Sequence, residues 1–353
     1  MTSREKVKEG VSPPSLVSFG ITRECDLDCP HCYSDSGEKD PRELTTEEAK
    51  RVISDIADLG TKIIIMDGGE PTLRKDLLEL IRHSGVSGLV PVIGSHGGPL
   101  TKELVKDLKS AGCKGVAISL DGAVAKTHDE WRGMEGAWKG AIEGARNCAE
   151  VGLEFQIAPL LHRNNFEELS GIIDCAKELG AGAVEIFDYV PAGRGKGHFE
   201  HELDTEQRKR LIDEVIKRQR ADDLVYRVIA LPQYWVVVEK EVPEDEILMK
   251  FTRSCCAAGT RYITILPNGD VVPCMVLQII VGNVHQDSLK TIWHESPVLR
   301  DLRNRELLKG KCGICKYKSV CAGARCKAYE KTGDMLAEDP TCWFTEDEIR
   351  TGD

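Results

Sequence analysis

Leu16-Val-Ser-Phe-Gly-Ile-Thr-Arg-Glu-Cys25-Asp-Leu-Asp-Cys29-Pro-His-Cys32-Tyr33 joins a β-favouring run to a loop carrying three thiols, spaced by three and then two residues. A strand running directly into a loop of metal-type ligands opens a fold whose chemistry sits at its strand ends. The same texture recurs at residues 62–66 (KIIIM), 89–94 (LVPVIG), 115–119 (GVAIS), 153–158 and 183–188. Between these runs, residues 45–59, 101–111, 137–151 and 166–179 carry Leu, Ile and Ala at three- and four-residue steps, the mark of amphipathic helices. Six β/α units predict an α/β fold with a parallel sheet and outer helices. Curled into a partial (β/α)6 TIM-like barrel, that sheet places the loops after the strands at one mouth.

A polar helix predicted over 204–220 separates this region from one of different texture. There RYITILPNGDVVPCMVL (residues 261–277) reads as a β-hairpin turning at Asn268-Gly269-Asp270, followed by a helix near 288–308 and then dense cysteines. The expected organisation is an N-terminal extension (1–15), a core (16–225) and a small cysteine-rich α+β domain (226–353).

The chain has 353 residues, 41% of them apolar, enough for one large domain with a smaller partner. A formal net charge of −11 argues against nucleic acid, whose binding relies on Lys and Arg to displace counterions. MTSREKVKEG at the start lacks the apolar core of a signal peptide, and no apolar run reaches membrane-spanning length. A cytoplasmic protein without a membrane partner is expected. In such a setting most of the 14 cysteines read as metal ligands rather than disulfides. Cys113, Cys148 and Cys175 stand singly in helix or strand patterns and read as ordinary core residues.

Three thiolates on one loop can hold three irons of a cubane and leave the fourth iron open, whereas zinc sites more often pair cysteines as CxxC. A structural zinc loop is the alternative. The order CxxxCxxC followed by an aromatic resembles the signature of the radical S-adenosylmethionine (AdoMet) superfamily. That resemblance implies a 4Fe-4S cluster on Cys25, Cys29 and Cys32, whose open iron chelates AdoMet and whose electron breaks a C–S bond to give a 5′-deoxyadenosyl radical. Gly68-Gly69-Glu70-Pro71 is similar to the family's GGEP element, which implies close backbone approach to the cofactor and Glu70 at its ammonium group. Ser119-Leu-Asp121-Gly122 resembles SLDG, with Ser119 and Asp121 at the same mouth. His128-Asp129 with Arg132-Gly133 resembles HDxxRG, which implies Arg132 at the cofactor carboxylate; a surface ion pair is the alternative. Gly94-Ser95-His96-Gly97 departs from the usual Thr-Asn-Gly and leaves His96 either a loop filler or a site residue. Asn165 stands where relatives carry an Asn near the ribose.

Cys256, Cys274, Cys312-x2-Cys315-x5-Cys321 and Cys342 are similar to the SPASM pattern of auxiliary-cluster domains. One ligand departs from it: the cysteine expected shortly after Cys321 is displaced to Cys326 or missing. Family connectivity implies one cluster on Cys312, Cys315, Cys321 and Cys342. A second would sit on Cys256 and Cys274 with Cys326 and perhaps the neighbouring Cys255, giving one or two auxiliary 4Fe-4S clusters. A zinc ribbon is the alternative here.

The tail most resembles SPASM enzymes of alternative haem and haem d1 biosynthesis, which implies a small-molecule substrate, an iron-porphyrin, oxidised at its propionates. Electrons would come from a donor such as flavodoxin or ferredoxin. Arg194 and Lys196, in a glycine-rich loop, are candidates to pair with those propionates, in a loop expected to lie across the mouth from the Cys25–Cys32 loop. A maturase acting on a peptide is the second reading. A non-enzymatic electron carrier is the third, against which Glu70 and the SLDG loop count.

Overall fold

The computed structural model describes residues 11–250 and 256–350. Strands β1 (Leu16–Thr22), β2 (Ile63–Gly68), β3 (Val90–Ser95), β4 (Gly115–Ile118) and β5 (Phe155–Ile157) pair in that order, all parallel. β5 and the short β6 (Leu160–Leu161) follow one another along one edge of β7 (Ala183–Asp188), and β8 (Val225–Ile229) pairs along its other edge. Pro159 falls between β5 and β6, where its missing N–H cannot continue a ladder. All six predicted strands form, and the open parallel sheet with outer helices is the partial barrel expected.

The helices cover the sheet for the reason their periodicity implied. In α1 (Thr46–Asp58) the buried residues are Ala49, Val52, Ile53 and Ile56, one face at helical spacing. Its start is set by a capping box between Thr45 and Glu48. α2 (Leu77–Val86), α3 (Lys102–Ala111), α4 (Ala125–Arg132), α5 (Ala137–Val151) and α6 (Leu169–Leu179) follow. The predicted polar helix is α7 (Thr205–Ala221), capped by Asp204 and Gln207. Cys113 and Cys148 are buried core residues, and Cys175 packs partly buried against the same core.

Two features of the second region differ from expectation. The helix foreseen near 288–308 is broken into Leu289–Glu295, Pro297–Arg303 and a 3-10 turn at Arg305–Leu307. Pro297 opens a new helix at its N1 position and forces Ser296 out of helical geometry (ψ 123°). The hairpin, β9 (Tyr262–Ile265) with β10 (Asp270–Val272), forms antiparallel as read, but β9 also pairs parallel with β1. With β11 (Gly282–Asn283) it extends the core sheet. β8 lies at the expected boundary of 225 and still belongs to that sheet, so a change of sequence texture does not end the shared hydrogen-bond ladder.

A buried charge cluster ties the two regions at the end of β7. Asp188 Oδ2 pairs with Arg208 Nε at 2.8 Å and with Lys327 Nζ, which lies in the helix Arg325–Thr332; the Asp188 and Lys327 side chains are both 0% exposed. Glu202 lies 3.9 Å from the Arg208 guanidinium. Two cations and two carboxylates thus balance out of water, where a lone charge is costly. Asp188→Asn leaves both cations short of a partner and is expected to destabilise by about 3–5 kcal/mol, more than Lys327→Met, which leaves the Arg208 pair intact. Anaerobic thermal unfolding of the two variants checks the order.

Candidate iron-sulfur and cofactor site

The thiol loop is held by main chain. Cys25 N donates to Gly37 O at 2.9 Å, and Gly37 N donates to Arg23 O at 2.9 Å, which closes residues 23–37 into a ring. Gly69 N donates to Thr22 O and Glu70 N to Glu24 O, at 2.7 and 2.8 Å. A Cβ on Gly68 would stand 2.3 Å from Thr22 O, and one on Gly69 2.1 Å from Glu24 O, so no side chain fits at either position. Gly68 is also left-handed, at φ +118°. The close approach expected at these glycines is made to the thiol loop.

Arg194 closes the loop from the other side. Its guanidinium reaches Asp28 Oδ1 (2.6 Å), Asp35 Oδ1 (3.3 Å), Cys29 O (2.9 Å) and Ser36 O, while its backbone N–H donates to Cys32 O at 2.9 Å. This corrects two expectations. The loop after β7 packs on the thiol loop instead of facing it across the mouth, and Arg194 spends its donors on protein. Lys196 remains exposed.

The carboxylate of Glu70 is 0% exposed and already accepts four hydrogen bonds: from Thr72 N and Oγ1, and from Ser95 Oγ and His96 N, at 2.7–3.1 Å. Glu70 therefore braces the turn after β2. His96 is a brace too, its Nε2 pairing with Asp26 Oδ1 at 2.8 Å. Asn165 donates to Asp121 O and Leu160 O and accepts from His162 N, all within 2.9 Å.

Asp121 accepts from Leu160 N at 2.8 Å and pairs with Arg132 Nε at 2.7 Å. Burial alone would raise its pKa, but the Arg132 charge brings it below the usual value. Arg132 also stands near enough to Cys29 for its charge to pull the thiol down against burial. It is a buried cation at the edge of the thiol set, not a surface pair. Ser119 lies at the end of β4, its N–H donating to Ser95 O.

Sequence reading missed the rings beside this site. Trp131 is stacked between His31 (4.6 Å between centroids) and His162 (3.8 Å), with His201 and Tyr189 edge-on. Burial lowers the imidazoles to about 3 and about 4, so both are neutral. His31 Nδ1, Trp131 Nε1 and His162 Nε2 are buried with no hydrogen-bond partner among the described residues. Such atoms mark a wall built to meet a ligand. Trp131 and His31 were hidden inside the very motifs read for other residues.

In the second region Cys312, Cys315, Cys321 and Cys342 line one pocket with Lys311, Lys318 and Asp339. Asp339 N and an Arg325 guanidinium N–H point at Cys312 Sγ, both at 3.3 Å, and Gly323 N points at Cys321 Sγ at 3.4 Å. Such donors favour thiolates and tune cluster potentials. Cys256, Cys274 and Cys326 form a second group, each near enough to raise the Cys326 or Cys274 thiol further after burial has done so. Cys255 lies outside the described residues. Burial raises the Tyr33 phenol well above its usual pKa, and Asp67, Tyr262, Cys32 and Cys274 are near enough to raise it further. Burial lifts Asp67 to about 6 against the hydrogen bond it accepts from Ser18.

The thiol spacing discriminates between metals. Four thiolates at about 2.3 Å around one tetrahedral zinc would sit roughly 3.8 Å apart. No three cysteine sulfurs lie within 4.8 Å of one another among the described residues. The sets are open to a cluster wider than one ion, and with the Arg132 cation and the unpartnered rings the donors fit an iron-sulfur cluster and a polar ligand.

A family model described as the Radical SAM superfamily matches residues 19–176, and one described as an iron-sulfur cluster-binding domain, SPASM, matches residues 255–322. The AdoMet-dependent heme synthase of Methanosarcina barkeri is 37% identical over 340 residues, 94% of this chain and 97% of that protein. The PqqA peptide cyclase of Methylocella silvestris is 31% identical over 348 residues, 96% and 89% of the two. Among solved structures, Streptococcus suis SuiB bound to precursor peptide SuiA superposes with a TM-score of 0.75 at 20% identity, covering 96% of this chain and 78% of that one.

Arg194→Ala removes the clamp on Asp28, Asp35 and the Cys29 and Ser36 carbonyls. The expected outcome after anaerobic loading is faster iron loss to a chelator, approaching the four irons of one cubane per chain. Lys196→Ala should hold iron like the parent protein.

Proposed function

Because this chain belongs to the radical SAM superfamily and carries a SPASM iron-sulfur domain, we propose that it oxidises an iron-tetrapyrrole, converting propionate side chains to vinyl groups. The observation that carries this reading is the 37% identity to an AdoMet-dependent heme synthase over nearly the whole of both chains. The 31% identity to a PqqA peptide cyclase keeps a peptide maturase as the alternative.

When bound, the first cluster and AdoMet supply a hydrogen-abstracting radical, and the auxiliary clusters supply an electron sink. On the substrate, each propionate loses one hydrogen atom from the methylene bonded to the pyrrole ring, and the bond between the other methylene and its carboxylate then breaks to release CO₂. That leaves a carbon–carbon double bond and one surplus electron per propionate. A low-potential donor of flavodoxin or ferredoxin type starts each cycle.

In this reading Cys25, Cys29 and Cys32 hold the first cluster. Cys312, Cys315, Cys321 and Cys342 hold one auxiliary cluster, and Cys256, Cys274 and Cys326 a second. Arg132, kept charged by Asp121, offsets the negative charge of the thiolates at Cys29 and leaves guanidinium N–H groups for a carboxylate. The GGEP backbone, kept flat against the thiol loop by Gly68 and Gly69, offers carbonyls to an ammonium. Ser119 and Asp121 fix the end of β4 beside them. The stacked His31, Trp131 and His162 rings, neutral and largely buried, exclude water from the radical's neighbourhood.

The test is anaerobic incubation of loaded protein with AdoMet, a reductant and iron-coproporphyrin III, read by mass spectrometry. The expected products are 5′-deoxyadenosine and a tetrapyrrole with vinyl in place of propionate groups, both lost in Cys25→Ala. An unchanged tetrapyrrole together with a modified precursor peptide would transfer the chain to the alternative.

A further inference from the structure

His198, Glu200 and His201 lie on the loop after β7, and their ligand atoms are all within 4.8 Å of one another. The loop is firmly placed. Arg194 anchors its start to the thiol loop, Tyr189 Oη donates to Gly195 O at 3.1 Å, and Lys331 of the helix Arg325–Thr332 sits 4.4 Å over the Phe199 ring. These contacts put the His198–His201 turn between the first thiol set and the second region, where a substrate that meets the radical and then yields an electron has to lie.

The local chemistry is that of a metal ligand with its orienting partner. His198 Nδ1 lies 2.9 Å from a Glu200 carboxylate oxygen, while its ring is 57% exposed. Nε2 makes no hydrogen bond among the described residues. A carboxylate on one imidazole nitrogen fixes the tautomer and raises the basicity of the other, the usual support of a metal-bound histidine. Behind the turn stand the buried, unpartnered His162 Nε2 and Trp131 Nε1, with their rings 6.2 and 5.1 Å from that of His201. A free cation would need only the triad; a flat aromatic ligand carrying a metal would also use this ring wall.

We infer that His198, oriented by Glu200, is the axial ligand to the iron of the bound tetrapyrrole, with His201 and Trp131 at the edge of the macrocycle. This rests on the tetrapyrrole reading above and names the group that recognises the metal. The Nε2 lone pair takes an axial position on iron and displaces water. Nδ1 keeps its proton toward Glu200, so neither electron nor proton is transferred. Iron ligation from this loop would draw the macrocycle toward the thiol loop through the same three residues that connect His198 to Arg194.

The test uses the anaerobically loaded full chain with ferric coproporphyrin III and, separately, metal-free coproporphyrin III, followed by optical and EPR spectroscopy. Wild type should give the spectrum of nitrogen-ligated iron. His198→Gly should lose it, bind the iron probe at least about tenfold more weakly, and regain the spectrum on adding imidazole; Glu200→Gln should weaken iron-probe binding by about tenfold. Metal-free coproporphyrin, which has no axial position, should bind wild type and His198→Gly alike. An unchanged spectrum in His198→Gly and in the His198→Gly, His201→Gly double variant would overturn the inference and leave the substrate reading standing, as would equal wild-type affinity for the iron and metal-free probes. Tight stoichiometric Zn²⁺ on the triad that blocks no iron probe would overturn it as well. Failure of wild type to bind either porphyrin would remove the substrate reading and the inference together.

Discussion

A loop whose side chains are given to iron has to be held by its backbone, and the rest of the site is arranged around that constraint. Residues 23–37 are clasped by main chain from three directions. Gly68 and Gly69 approach from the end of β2, Gly133 from the end of α4 and Gly193 from the loop after β7. A Cβ on any of the four would stand within 2.1 to 2.5 Å of a carbonyl oxygen of residues 22–33. Around this clasp the charged residues take up supporting positions. Glu70 and His96 brace the turn after β2, Asp121 fixes Arg132 beside Cys29, and Arg194 caps the loop carbonyls. These charged groups also serve as scaffold for the thiol loop.

The second region is joined to this site by structure that a linear division conceals. β9 continues the ladder from β1, which places Cys274 and Tyr262 beside Tyr33. Lys327 reaches back to Asp188 at the end of β7, and Lys331 to Phe199. A thiol nearly two hundred and fifty residues from Cys32 in the chain, Cys274, is thereby brought near its following aromatic. Helix Arg325–Thr332 carries both Cys326 and these two lysines, so the same helix that docks the two regions brings Cys326 near Cys256 and Cys274.

Much of this was legible before folding. Strand and helix periodicity is local, and the six strands and the helices over 45–59 and 204–220 appear where the pattern put them. The cysteine groups were legible because thiols at such spacings have few other uses, and the structure gathers them into the sets foreseen. What was not legible depends on contacts across the sheet. Nothing local tells that Arg194 turns toward Asp28 rather than to solvent, or that Asn165 spends its amide on Asp121 and Leu160. The break at Pro297 was readable from proline's geometry and was passed over. His198, Glu200 and His201 carried a signal as well, three metal-type residues within four positions, but only the fold places them beside Trp131 and His162.

The account rests on a hydrogen atom passing from a tetrapyrrole propionate to the cofactor held at the Cys25–Cys32 loop. Iron-coproporphyrin III deuterated along its propionate chains measures that transfer in a single anaerobic turnover. The account predicts deuterium in the 5′-deoxyadenosine, in proportion to the vinyl product formed. Vinyl product accompanied by unlabelled 5′-deoxyadenosine would contradict it.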